Sequence, residues 1–329
     1  MNYMRILSIF CLLIVFNIPA NSEVRFTNTD GQSNNRNLSE ILKWSISRED
    51  PIPEYLEVNE ISDLEIFKSK EPYAFWIGHA SFLVFNGNIT ILFDPIFSER
   101  ASPLKFAGPK RLVKPAIKIS SLPKTDVIVI SHNHYDHLDI PSIKKIQKKY
   151  PDVKILIPKG DGKLLKKHNI RNFNEFLWWD NIKIKDTTFT FTPSQHWSAR
   201  GLSDRNKSLW GSWHTNYNQK NIFHAGDTGY SNDFKEIKKR LGDVDFAMIP
   251  IGAYSPKWFM GYSHVNPEEA VSIALDLNAK ETVGMHWGTF ILTDEPVFEP
   301  RDKLKIIANE KNVNFYTVLP GTFIEINKF

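Results

Sequence analysis

Cysteine is almost missing from this chain: Cys11 is the single one in 329 residues. That excludes a disulfide framework and a thiolate zinc ribbon, and leaves any metal chemistry to imidazole and carboxylate, for which ten histidines are available. Long basic blocks are lacking too. Lys and Arg number 41 against 37 Asp and Glu, a net charge of +4, so no nucleic-acid partner is expected. The apolar run at residues 6–16 falls short of the ~20 residues of a comfortable membrane span. Internal repeats and low-complexity tracts are absent, and 42% hydrophobic residues are enough for a sizeable core, which removes the disordered and fibrous classes.

Residues 1–22 read as a signal peptide. Arg5 supplies the positive start, residues 6–16 are apolar apart from Ser8, and the segment closes on Ala20-Asn21-Ser22, with small residues where a signal peptidase cuts. The expectation is export through the secretory pathway to a periplasmic, luminal or extracellular space. Phe10 is too bulky for lipidation of Cys11, and the mature protein would carry no thiol. Residues 23–37, rich in Asn, Gly, Asp and Ser, read as a flexible linker. Residues 38–329 then form one continuous domain.

Strands are expected at 74–85, 89–93, 126–131, 154–157, 182–192, 208–215, 221–225, 246–250, 282–286 and 314–326, several of them short and wholly apolar as buried strands are. Helices are expected at 141–150, 162–168, 234–241, 267–277 and 300–312. The fourth has a sharp start, with Asn266 as N-cap, Pro267 in the first helical position and Glu269 placed to complete a capping box. This order gives an α/β fold of two mixed β-sheets sandwiched between helical layers, an αββα sandwich.

The chemistry concentrates in Ser131-His132-Asn133-His134-Tyr135-Asp136-His137-Leu138-Asp139, directly after a buried strand. Residues two apart in extended backbone point the same way, so His132 and His134 face one metal, and the following turn carries Asp136 and His137 to a neighbouring position. Further ligands must come from other strand ends. His196, Asp227 and His286 qualify, since each is a polar residue abruptly closing an apolar strand; taken singly, each reads more readily as a capped or satisfied strand-end residue than as a ligand.

The His-X-His-X-Asp-His run with a later His, Gly226-Asp227-Thr228 and a final His resembles the metallo-β-lactamase superfamily. Trp76-Ile77-Gly78-His79-Ala80, Asp94-Pro95-Ile96-Phe97-Ser98, Gly108-Pro109-Lys110-Arg111, Gln195-His196-Trp197, Leu209-Trp210-Gly211-Ser212-Trp213 and His286-Trp287-Gly288-Thr289-Phe290 narrow this. In order, they are similar to the N-acyl-phosphatidylethanolamine-hydrolysing phospholipase D family. The resemblance implies two zinc ions per chain, one on His132, His134 and His196, the other on Asp136, His137 and His286, with Asp227 bridging. It implies substrate contacts from Tyr135 and His264, and hydrolysis of a phospholipid to phosphatidic acid and an N-acylethanolamine. Paired zinc ions supply a hydroxide near neutral pH and offset phosphate charge, Asp136 orients the attacking group, and His264 holds a phosphate oxygen or helps protonate the leaving one. A lactonase or other acyl hydrolase shares every ligand and is the competing reading. A phospholipid substrate implies contact with a membrane surface.

Other residues have plainer readings. His79 reads as a core histidine or a support for the ligands, and Asp94 as a brace through hydrogen bonds. His168, His214 and His224 are structural. Lys144, Lys145, Lys148 and Lys149 line one solvated helix face, with attraction to anionic lipid as the alternative. Trp258, Phe259 and Met260 form an apolar patch suited to core packing, to a lipid-facing lip or to a homodimer contact.

Overall fold

The computed structural model describes residues 25–326 apart from 35, 37, 60, 62, 63 and 202. The expected signal peptide, Cys11 included, lies outside the described residues. Helix α1 (Leu38–Ser47) precedes fourteen strands. Strands β1 (Tyr73–Gly78), β2 (Ser81–Phe85), β3 (Thr90–Phe93), β4 (Val127–Val129), β5 (Lys154–Pro158) and β6 (Phe173–Phe176) build one sheet. Strands β7 (Asn181–Ile184), β8 (Thr187–Thr192), β9 (Ser212–Tyr217), β10 (Lys220–His224), β11 (Phe246–Pro250), β12 (Glu281–Met285) and β13 (Phe315–Tyr316) build the other, and β14 (Phe323–Glu325) returns to the first. Each sheet is antiparallel through its hairpins and parallel where helices make the crossovers, β3 to β6 in one and β10 to β13 in the other.

Alternation along the strands places the core. Ala74 and Trp76 of β1, Phe82 and Val84 of β2 and Ile91 and Phe93 of β3 pack with Phe189, Phe191, Trp213 and Phe223 of the facing sheet. Phe75, Ile77, Leu83, Leu92 and Ile128 turn the other way. Helices α2 (Ile140–Lys149) and α3 (Gly162–Lys167) cover them with Ile143, Ile146 and Leu165. The second sheet is covered by α4 (Asp233–Leu241), α6 (Pro267–Asp276) and α7 (Glu299–Lys311), with Ala270, Ile273, Ala274, Leu304 and Ala308 in the larger core, while the short α5 (Lys257–Met260) packs Phe259 against Ile41 and Trp44 of α1. The αββα sandwich is thus the observed architecture, and full burial of Trp76, Phe82, Trp213 and Phe223 contributes roughly 1.5–3 kcal/mol for each such side chain.

Several expected elements divide. The run at 74–85 is two antiparallel strands, broken at Gly78 and His79 with φ of 127° and 56°. The run at 182–192 is the β7–β8 hairpin, and 314–326 separates into β13 and β14 on different sheets. Strand β9 starts at Ser212 and not at 208, while β6 and helices α1 and α5 were not expected. The linker reading of 23–37 is corrected over residues 25–34. Phe26 N–H donates to Asn206 O at 2.8 Å, Asn28 is buried against His196, and the Asn34 amide donates to Ser263 Oγ at 2.6 Å. Asparagines that read as linker composition are here satisfying buried polar groups. Lys144, Lys145, Lys148 and Lys149 are all exposed, and Lys149 Nζ also donates to the carbonyls of Ser120 at 2.6 Å and Leu122 at 2.9 Å.

Candidate metal centre

The carboxyl ends of the strands bring the sequence-predicted residues to one edge of the sandwich, the usual place for a site in such sheets. Asp94 follows β3, the His132 to His137 run follows β4, His196 follows β8, Asp227 follows β10 and His286 follows β12. His79 occupies the β1–β2 turn. His79, Asp94 and His286 all hold left-handed φ, at 56°, 39° and 63°, a conformation that costs free energy and clusters at functional sites. Gly226 before Asp227 has φ of 61°, and a Cβ there would lie 2.6 Å from that of Ser131. Only glycine brings the Asp227 loop this close to the histidine run.

The imidazoles are oriented from behind. Asp94 accepts from Ser131 N at 2.7 Å and from Ser131 Oγ at 2.5 Å, and His137 Nδ1 lies 2.7 Å from the same carboxylate. With its proton committed to Asp94, Ser131 Oγ accepts from His132 Nδ1 at 3.0 Å. His196 Nδ1 donates to Ser263 O at 3.0 Å. Each contact fixes the proton on Nδ1 and leaves the Nε2 lone pair facing inward. His134 presents Nδ1, 2.9 Å from His132 Nε2 and 3.2 Å from His196 Nε2. These three form one group of potential ligands, while Asp136, His137 and His286 form another together with His79. Asp227 reaches both. One oxygen is 3.1 Å from His286 Nε2, and the other is 3.2 Å from His137 Nε2 and 3.9 Å from His132 and His196 Nε2.

Asp227 Oδ1 and the Nε2 atoms of His137 and His286 are buried without a properly directed hydrogen bond despite these separations. Donor atoms aimed at shared points and not at one another suit cation coordination. Burial depresses His132 and His196 well below the ordinary histidine range and His134 to about 3, keeping them in the neutral, ligating form. For His137 and His286 burial acts in the same direction, but the carboxylates of Asp227 and Asp136 outweigh it; His137 is held well above the usual range and His286 at about 9. Burial likewise raises Asp136 and Asp227, and the neighbouring His137 and His286 reverse the effect and hold both carboxylates well below their range. Two ionised carboxylates buried here require compensating positive charge, which a divalent cation supplies while leaving the imidazoles neutral. The residues present therefore fit a metal.

His79 Nε2 contacts Asp136 Oδ2 at 2.9 Å, so it orients that carboxylate within the group of potential ligands the two share. His264 is inside the cluster, with a buried, unpartnered Nδ1 3.9 Å from Asp227 Oδ2 and a ring against that of His196. The Tyr135 hydroxyl donates to Arg200 O at 2.9 Å, with the Arg200 guanidinium over its ring. Sequence reasoning missed Arg200, whose Nη1 donates to Asn133 O at 2.7 Å and Leu138 O at 2.8 Å and so braces the histidine run. It also missed Asn28. A lone arginine and a lone asparagine in polar stretches give no sequence signal. His214 and His224 are buried and outside the ligand groups, the latter beside the Asp227 loop with Nε2 2.9 Å from Ala80 O and Nδ1 3.3 Å from Gly226 N, and His168 is half-buried at the end of α3.

Comparison with known proteins agrees with this geometry. Residues 89–287 match the family described as the Beta-lactamase superfamily domain. The chain is 36% identical over 321 residues to N-acyl-phosphatidylethanolamine-hydrolyzing phospholipase D 1 of Caenorhabditis elegans, covering 91% of this chain and 90% of that one. It is 38% identical over 275 residues to the mitochondrial N-acyl-phosphatidylethanolamine-hydrolyzing phospholipase D of Saccharomyces cerevisiae, covering 81% of this chain and 57% of the longer yeast protein. Among solved structures, Igni18, a metallo hydrolase of Ignicoccus hospitalis, superimposes with a TM-score of 0.59 at 20% identity, over 77% of this chain and 97% of its own. The protein is a metal-dependent hydrolase, and it belongs to the beta-lactamase superfamily and, within it, to the family of the N-acyl-phosphatidylethanolamine-hydrolysing phospholipases D.

Proposed function

We propose that this protein is a dinuclear zinc phosphodiesterase that hydrolyses N-acyl-phosphatidylethanolamine-type phospholipids to phosphatidic acid and an N-acylethanolamine. The observation that carries the reading is the meeting of two ligand groups on one carboxylate: His132, His134 and His196 on one side, Asp136, His137 and His286 on the other, with Asp227 Oδ2 3.9 Å from His132 and His196 Nε2 and 3.2 Å from His137 Nε2, and Oδ1 3.1 Å from His286 Nε2. Zinc at these positions supplies an activated water near neutral pH and neutralises phosphate charge. The chain does the rest. Asp136, held by His79 and left partly accessible at the cluster surface, accepts a hydrogen bond from the attacking water and aims it at phosphorus. His264, whose pKa burial lowers to about 4, stays neutral at physiological pH and serves as a hydrogen-bond donor to a phosphate oxygen. The names of the two eukaryotic relatives support the substrate class.

A lipid substrate has to be reached at a bilayer. No helix among the described residues is long and apolar enough to cross a membrane. Leu42 and Ile46 of α1 and Trp258 of α5 are nevertheless exposed, and Lys43 lies over the Trp258 ring. Apolar side chains among cations suit an anionic membrane surface, and we assign the patch to it. Phe259 follows the core-packing reading and is buried against Trp44. Export by residues 1–22 is part of the same proposal, checked by N-terminal sequencing of the mature chain.

Paired kinetics of His264→Ala on an N-acyl-phosphatidylethanolamine and on an uncharged lactone, with metal analysis of the same preparations, test the reading. The expected result is a loss of about 10²-fold on the phosphodiester, a small loss on the lactone and unchanged metal content. Equal small losses on both substrates overturn it, as does a wild-type enzyme that turns over lactones and not the phospholipid.

A further inference from the structure

A residue far outside the matched domain stretch of 89–287 holds the main chain of the candidate ligand His196. Asn28 is 3% exposed, and its side-chain amide closes on the main chain of a single ligand. Oδ1 accepts from His196 N at 3.0 Å, and Nδ2 donates to His196 O at 3.1 Å. The other bonds of that amide are to groups with alternatives. Trp210 Nε1 donates to Asn28 Oδ1 at 2.8 Å but also to Ser194 O at 3.0 Å. Tyr262 Oη, 3.1 Å from Nδ2, also reaches Asp30. For the His196 main chain no other hydrogen bond is seen among the described residues. His196 follows β8 in irregular backbone, so the sheet ladder does not fix it.

The same segment acts on the imidazole. Asn34 Nδ2 donates to Ser263 Oγ at 2.6 Å, and Ser263 O is the acceptor that sets the His196 ring through Nδ1. A turn closed by Asn28 N–H to Gln32 O at 2.8 Å and Gly31 N–H to Asn28 O at 2.9 Å joins the two asparagines. Thr29 Oγ1 donates to Asp233 at 2.8 Å and ties the turn to α4 without touching His196. The geometry points to Asn28 as a positioning residue for the metal ligand His196, and to residues 25–34 as a working part of the metal centre. This inference rests on the metal reading above. If the proposed export cleavage follows Ser22, the mature chain retains Asn28, whereas trimming beyond it disables the first metal position.

Zinc titrations against a chromophoric chelator, with thermal unfolding of the chelated proteins, separate the possibilities for wild type, Asn28→Ala and Thr29→Ala. Wild type is expected to bind two equivalents. In Asn28→Ala one equivalent weakens by about 10- to 100-fold, the usual effect of removing a group that orients a ligand, and the other is unchanged. Thr29→Ala lowers thermal stability but leaves both affinities at the wild-type level. A merely structural role for Asn28 does not split the two equivalents. If Asn28→Ala does not fold, Asn28→Asp keeps the acceptor for His196 N and loses the donor to His196 O, and is expected to show the same split with a smaller shift. Wild-type affinities in Asn28→Ala, or equal shifts in Asn28→Ala and Thr29→Ala, overturn the assignment. A wild-type protein binding one equivalent overturns the dinuclear reading instead, and Asn28 is then judged by the shift of that equivalent.

Discussion

At the scale of single residues, the centre rests on carboxylates with distinct tasks. Asp94 offers its oxygens to Ser131 and His137 and orients the histidine run, whereas both Asp227 oxygens face imidazole nitrogens. Asp227→Asn keeps the shape but loses the second anionic oxygen. Both zinc equivalents are expected to weaken together, with activity falling by at least about 10²-fold, and elemental analysis beside kinetics checks this. A variant with full metal content and full activity removes Asp227 from the bridging role. Asp161 gives a pH prediction. Its side chain accepts at 2.9 Å from Nδ2 of Asn133, which lies between His132 and His134 in sequence, and burial lifts its pKa from the ordinary 3.8 to about 7, against the pull of Ser208, Asn133 and Arg200. A raised carboxyl pKa means that the folded state holds the proton more tightly than the unfolded one. Its contribution is therefore fully present below about pH 4 and is lost as pH rises to about 7. Asp161→Asn should flatten that slope, and urea denaturation at a series of pH values between about 4 and 8 measures it. An unchanged slope means that Asp161 is not the group responsible.

At the scale of elements, helix ends and strand ends place the chemistry. Helix α6 opens with the complete capping box: Asn266 Oδ1 accepts from Glu269 N at 2.9 Å, and Glu269 Oε2 accepts from Asn266 N at 3.1 Å. His264 precedes this cap by two residues. Asn266→Ala should cost about 1 kcal/mol of stability, read as a lower denaturation midpoint at unchanged zinc content, because the ligands hang on strands and not on α6. A loss of metal together with stability contradicts that division. The capping box is legible in the amino-acid sequence because it is a local pattern of three residues. The β1–β2 turn is less so, since Gly78, His79 and Ser81 interrupt the apolar run but a glycine inside a strand reads equally as a bulge; the corner turns inward because His79 N–H donates to Thr289 Oγ1 at 2.8 Å and Nε2 meets Asp136, contacts from distant parts of the chain.

At the scale of the whole molecule, the metal is expected to be a structural cross-link as well as a catalyst, since its ligands follow four different strands of both sheets. Chelation should lower the melting temperature and re-addition of zinc should restore it; scanning calorimetry with and without chelator tests this, and identical transitions oppose tight metal binding. The sequence by itself determined the fold class, the histidine run and the strand-end candidates His196, Asp227 and His286 that the structure brings to the same cluster, because alternation of apolar residues and abrupt polar strand ends are local properties of the chain. It also marked Asp94 as a brace. Only the tertiary structure decided that the last apolar run serves two sheets, that Arg200 steadies the histidine run from 62 to 67 residues away, and that residues 25–34 are not a linker. The physical reason is the same in each case. A hydrogen bond to a lone buried carbonyl or N–H leaves no periodicity or composition in sequence, and Asn28, 168 residues from His196, acquires its role only when folding brings the two main chains together.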